Sequence, residues 1–176
     1  KIDLYFDEGG NIKAKLKPDY EDIINFPLGK DENKNGCIVT WVDPVENSPY
    51  GRYIAGCDPY DQDKADSTDS LGSFFVFDRL ANQFVAEFTG RPERADDFYE
   101  ICRKLCIYYN AKCLYENQLK GLKGYFEMKN SLHYLCEQPQ IIKDIVKDSR
   151  VSRGYGIHMN RGAGGATGIK DQCELY

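Results

Sequence analysis

Two carboxylates close apolar runs in this sequence, at positions where hard-oxygen chemistry is feasible. Asp58 ends RYIAGCD (52–58) and Glu116 ends KCLYE (112–116), 58 positions later. Short apolar runs of this kind, bounded by turn residues, read as strands. If the two strands lie side by side, both acids emerge at the same end of one sheet. Carboxylate oxygens held close together suit Mg²⁺ or Mn²⁺. Two such ions can activate a water and stabilise the leaving oxygen in phosphodiester cleavage. Without cations the acids repel each other and any polyanion. An acid at a strand end is also the usual solvent-facing residue, so spacing alone leaves that plainer reading open.

The elements that must position these acids follow from the pattern. Residues 1–17 alternate on both sides of Glu8-Gly9-Gly10-Asn11, which predicts a hairpin, and polar residues 18–35, with Pro18 and Pro27, read as a loop with at most a short helix. GCIVTWV (36–42) is a β-branched strand ended by Asp43-Pro44. RYIAGCD stops at Pro59, which lacks an N–H. SFFVFDR (73–79) and QFVAEFT (83–89) form a hairpin around Leu80-Ala81-Asn82, so three successive runs make an antiparallel meander. After Pro92, Phe98, Ile101, Cys102, Leu105 and Tyr109 recur with helical period, with Asp96 and Asp97 at the favourable end. Residues 118–130 read as a helix, LHYLCEQ (132–138) as a strand and Pro139 to about Asp148 as a helix. GYGIHM (154–159) reads as a strand, RGAGGATG (161–168) as a loop, and the last residues as a helix. The expected fold is α/β: an antiparallel meander followed by α/β alternation, giving a mixed sheet with helices on both faces.

Composition narrows the class. Hydrophobic residues make up 41% of the 176, enough for a core, and no apolar run is long enough to span a membrane. Seven cysteines at irregular spacing, without a CxxC pair and with only two histidines, argue against structural zinc and for reduced, buried thiols. The net charge of −5 argues against a generic nucleic-acid binder. Its distribution is uneven: Lys143 to Lys170 holds six Lys/Arg against two Asp. A polymer of phosphates can meet that segment and avoid the rest. Within it, Arg150, Arg153 and Arg161, with the glycine-rich loop, are candidates to hold DNA phosphates, though a surface loop explains them as well. Lys120 and Lys123, after Glu116, could reach a scissile phosphate, and a solvated helix face explains them equally well. Tyr53, Tyr60, Tyr108 and Tyr109 could stack on bases, but core packing is the expectation for most, and His158 reads as structural. The start lacks Met and an apolar signal core, and the end stops inside a predicted helix, so the sequence reads as a piece of a longer chain.

GCDPYDQDKADSTDSLGSFFVFDR resembles the first nuclease motif of phage large terminases: an Asp ending an apolar strand, a polar loop, a further Asp, then a hydrophobic strand. AKCLYENQLKGLKGYF resembles their second motif, a strand ending in Glu-Asn before a glycine-containing helix. GCIVTWVDP…YIAGCDP resembles the strand pair that opens the same domain, and GYGIHM…GATGIK a later glycine-tailed strand and Lys-led helix. The resemblance covers about residues 36–176.

It implies a ribonuclease-H-like nuclease domain over 36–176, preceded by a hairpin and linker over 1–35. It implies two Mg²⁺ or Mn²⁺ ions held by Asp58, Glu116 and an auxiliary Asp69, for which Asp66 competes. Asp58 and Glu116 would be the catalytic acids. The family's third acid, an Asp opening a later helix, has no match here, since Asp171 stands too early. The partners implied are double-stranded DNA, a packaging ATPase domain of the same parent chain, the portal and the small terminase subunit, in the cytoplasm of an infected bacterium. No GxxxxGK[ST] phosphate loop occurs in these residues. A junction-resolvase-like nuclease uses similar acids, and a module that only docks on DNA or a portal needs none.

Overall fold

The computed structural model describes residues 1–25, 28, 32–60, 70–117, 121–138 and 154–157. Among them lie β1 (Ile2–Phe6), β2 (Ile12–Leu16), β3 (Cys37–Thr40), β4 (Tyr53–Asp58), β5 (Gly72–Asp78) and β6 (Gln83–Gly90). Helix α1 (Ala95–Tyr109), β7 (Lys112–Tyr115) and α2 (Gly121–Met128) follow. The strands form one mixed sheet in the order β2-β1-β3-β6-β5-β4-β7. The meander is present: β4 pairs antiparallel with β5, and β5 with β6. Then α1 carries the chain across, and β7 returns parallel to β4. A parallel neighbour requires such a crossover. The chain is therefore α/β, with a mostly antiparallel mixed sheet and two helices among the described residues.

The alternation of β4 sets the two faces. Tyr53, Ala55 and Cys57 point inward, while Ile54, Gly56 and Asp58 point outward. The inward set meets α1, where Phe98, Cys102, Leu105, Cys106 and Tyr109 are fully buried. Burial of each large side chain contributes about 1.5–3 kcal/mol, so this stripe is the main reason the helix lies here. Asp96 and Asp97 do stand in its first turn. Asn110 ends it in the left-handed conformation (φ 50°), which asparagine tolerates, and the Ala111 N–H returns to the Cys106 carbonyl. β7 starts two residues later, so its register against β4 is set by a very short connection. α2 packs beside α1 through Tyr125, whose ring lies 5.9 Å from that of Tyr99. The opposite face holds a groove of about 800 Å³ lined by Ile54, Phe75, Phe77, Phe84 and Leu114, with Asp58 also in its lining.

The N-terminal hairpin forms at Glu8-Gly9-Gly10-Asn11 as its pattern predicts. Asp7 Oδ1 accepts the Asn11 N–H at 2.8 Å, and Gly10 supplies the positive φ. Its first strand pairs with β3 through Ile2 and Ile38, so the hairpin extends the same sheet, and Ile2 and Leu4 join the core. Among the described residues no helix is long and apolar enough to cross a membrane.

Local readings differ from the sequence pattern at several points. LHYLCEQ is not a continuous strand. Leu132–Tyr134 form a 3₁₀ turn, in which the Ser131 carbonyl accepts the Tyr134 N–H at 3.0 Å. Leu132 and Leu135 then meet the core three residues apart, a spacing that outcompetes strand alternation. Leu135 and Glu137 make only isolated bridges. Tyr155 and Ile157 of GYGIHM do likewise. α2 ends at Met128 rather than Asn130, because Asn130 turns left-handed. The helices expected after Pro139 and at the C-terminal end, and the loop 161–168, lie outside the described residues.

Candidate active site

Asp58 ends β4 because Pro59 cannot continue the ladder. The parallel register pairs Ile54 with Lys112 and Cys57 with Tyr115. One further step sets Asp58 beside Glu116, and the Glu116 N–H donates to the Cys57 carbonyl at 3.1 Å. Neighbouring strands run about 4.8 Å apart, so these two backbones are in immediate contact. Both residues also fall on one face. Ile54, Gly56 and Asp58 alternate with the buried residues of β4, and Lys112, Leu114 and Glu116 with those of β7. The sequence-predicted pair is thus brought together at one end of the sheet, with Asp58 exposed and Glu116 half-buried.

Glu116 is held on its other side too. The Ile157 N–H donates to the Tyr115 carbonyl at 2.9 Å, and the Asn117 N–H donates to the Ile157 carbonyl at 2.7 Å. The Asn117 amide Nδ2 donates to the Tyr155 carbonyl at 2.5 Å. The backbone that carries Glu116 therefore runs between β4 and the 154–157 segment. Sequence reasoning did not single out Asn117 or Gly156. The Glu-Asn and Gly-Tyr-Gly sequences were visible, but their meeting depends on a pairing between positions some 40 apart.

The acidic loop after Asp58 is pinned at its ends. The Tyr60 hydroxyl donates to the Pro92 carbonyl at 2.9 Å, and the Tyr99 hydroxyl donates to the Tyr60 carbonyl at 2.8 Å. Arg91 stacks over the Tyr60 ring at 4.4 Å and donates to the Ser70 carbonyl at 2.8 Å. Gly72 leaves room for this arrangement, since a Cβ there would fall 2.6 Å from the Phe98 ring and 2.9 Å from that of Tyr60. Asp66 and Asp69, within this loop, lie outside the described residues. So do Lys120, Arg150, Arg153, Arg161, His158 and Asp171.

Beneath Asp58, the Cys57 thiol lies 4.0 Å from that of Cys102. Burial holds the Cys57, Cys106 and Cys113 thiols well above their ordinary range. They are protonated core groups, as the sequence suggests, and not nucleophiles. Tyr53, Tyr60 and Tyr109 are buried, while Tyr108 is half-buried and donates to Asp43 at 3.3 Å.

The backbone register sets two carboxylate-bearing residues side by side, and their oxygens are hard donors. Such a pair fits part of a divalent-cation site. Among the described residues no group of three or more His, Cys, Asp or Glu side chains is placed to hold an ion. No protein-family model and no curated protein matches the chain.

Proposed function

We propose that this chain is the nuclease domain of a phage large terminase, a metal-dependent DNA endonuclease with a ribonuclease-H-like sheet. The observation that carries the reading is the pair Asp58 and Glu116, at the ends of adjacent parallel strands and on one face. The strand order β6-β5-β4-β7, a meander flanked by a parallel strand after a helical crossover, supports the ribonuclease-H-like part. The terminase part rests on the motif resemblance around the two acids.

In this reading Asp58 and Glu116 hold divalent cations, with Asp69 as an auxiliary ligand from the pinned loop. Two Mg²⁺ or Mn²⁺ ions, when bound, would supply an activated water and offset charge on the leaving oxygen. The chain's own residues do the rest. The adjacent strand ends give the two acids a shared backbone base, a rigid support of the kind such sites need. Arg150, Arg153, Arg161 and Lys120 are proposed to hold the phosphates of double-stranded DNA, offsetting the negative charge elsewhere. The ATPase domain of the parent chain, the portal and the small terminase subunit are the partners of this reading, and the host cytoplasm is its place.

The test is plasmid nicking in Mn²⁺ by a polypeptide carrying this sequence together with the third acid that the resemblance implies. Nicking with little sequence preference is expected. Asp58→Asn and Glu116→Gln should each abolish it with an unchanged circular dichroism spectrum. A folded protein that cuts nothing, or cuts as well after both substitutions, contradicts the reading.

A further inference from the structure

Glu116 directly follows β7, a four-residue strand whose outer edge is shared by two separate pieces of chain. Leu135 bridges Cys113 near its start, and Ile157 bridges Glu116 one residue past its end. The second piece is held closely. The Gly156 N–H donates to the Cys136 carbonyl at 3.0 Å, and Gln138 donates to the Gly154 carbonyl at 2.9 Å. The Ile157 N–H and carbonyl bond to the residues on either side of Glu116, and the Asn117 side chain reaches the Tyr155 carbonyl.

Gly156 makes the close approach possible. Its φ is +72°, a conformation that side chains with a Cβ rarely adopt. A Cβ there would fall 2.7 Å from the Tyr115 carbonyl oxygen, 2.8 Å from the Tyr115 ring and 2.9 Å from the Asn117 Cβ. All three neighbours flank Glu116 in sequence. The nearest is backbone and cannot rotate away, so relief must come from displacing the 154–157 segment or the Tyr115–Asn117 chain itself. Displacing Tyr115–Asn117 shifts the base of the Glu116 side chain directly, and displacing the 154–157 segment removes its support on one side, while Asp58, on the other strand, keeps its ladder to β5 through Ser73.

We propose that Gly156 and Asn117 are positioning residues for Glu116: by locking the 154–157 segment onto the end of β7, they hold its carboxylate in register with Asp58 for a shared divalent cation. The inference rests on the metal-site reading given above. It adds that the affinity of the site depends on a segment about 40 residues beyond the acid. Groups that orient metal ligands without touching the metal commonly change its affinity when removed, by about 10–100-fold.

The experiment is a titration of Mn²⁺ into the 176-residue protein, reading free Mn²⁺ by its six-line electron paramagnetic resonance signal. The proteins are wild type, Asp58→Asn, Gly156→Ala and Asn117→Ala, with metal-free melting temperature recorded for each. Binding by the wild type that Asp58→Asn removes establishes the underlying site. Gly156→Ala and Asn117→Ala are then expected to weaken binding by about tenfold. Asn117→Ala leaves the glycine conformation untouched, so it keeps the test decisive if Gly156→Ala does not fold. Asn117→Ser, which restores a short donor, should recover part of the loss. A purely structural role lowers the melting temperature of both variants but leaves the affinity of the folded protein at the wild-type value, and that result overturns the positioning role alone. Wild-type protein with no binding sensitive to Asp58→Asn overturns the metal site and the positioning role together.

Discussion

Glu116 donates its backbone N–H to the carbonyl of Cys57 at 3.1 Å, which places it directly beside Asp58 on the neighbouring parallel strand. Two carboxylates side by side on one face repel each other when no cation lies between them. In EDTA at low salt, Asp58→Asn is expected to raise the melting temperature, by roughly 1–2 °C for a repulsion of about 0.5 kcal/mol. Added salt should shrink the gain. Differential scanning calorimetry of the two proteins checks this, and a fall in melting temperature for the variant contradicts the repulsion.

Asp78 gives a stability prediction away from the site. Its buried carboxylate accepts Arg52 at 2.8 Å and caps the β5–β6 turn through the Leu80 and Ala81 N–H groups at 2.9 and 3.1 Å. The Arg52 hydrogen bond, offset in part by burial, holds its carboxyl below the ordinary value near 3.8. A depressed folded value means the stabilisation is present above the unfolded value and is lost as pH falls through the folded one. Asp78→Ala should lower the melting temperature at pH 7 by several degrees, about 4–8 °C for the loss of such a network. The difference between wild type and Asp78→Ala should narrow below about pH 4, measured as melting temperature against pH.

Much of the arrangement around the acids is legible in local sequence. The period-two alternation of RYIAGCD and SFFVFDR, the Pro59 stop and the helical spacing from Phe98 to Tyr109 each name an element and its buried face. The adjacency of Asp58 and Glu116 is an expectation from strand order, and the parallel pairing of β4 and β7 agrees with it. The 154–157 segment is less legible, because its fit depends on the space beside Tyr115, and nothing near Gly156 in sequence reports that space. The pattern also misleads at Leu132–Tyr134, where contacts three residues apart favour a turn over a strand. The N-terminal hairpin is visible by itself, but its pairing with β3 is a long-range contact that no local signal specifies.

Glu87, half-buried in the middle of β6, behaves in the opposite sense to Asp78. Burial raises its carboxyl above the ordinary value, with the Asp22 charge adding to the effect. A raised acid is easier to keep folded when protonated, so stability is lost as pH rises from the unfolded value through the folded one. Glu87→Gln should therefore raise the melting temperature at pH 7. The gain should vanish below about pH 4, where both states carry the protonated acid. Equal gains at pH 4 and pH 7 would show that charge is not the cause.

The most direct test of the central claim, that Asp58 and Glu116 hold a divalent cation together, is a double-mutant cycle read by calorimetric titration of Mn²⁺. The proteins are the wild type, Asp58→Asn, Glu116→Gln and the double variant. If one site needs both acids, each single substitution removes most of the binding heat and the double variant loses little more. Wild-type binding that survives both substitutions, or losses that simply add as at two unrelated sites, would contradict the account.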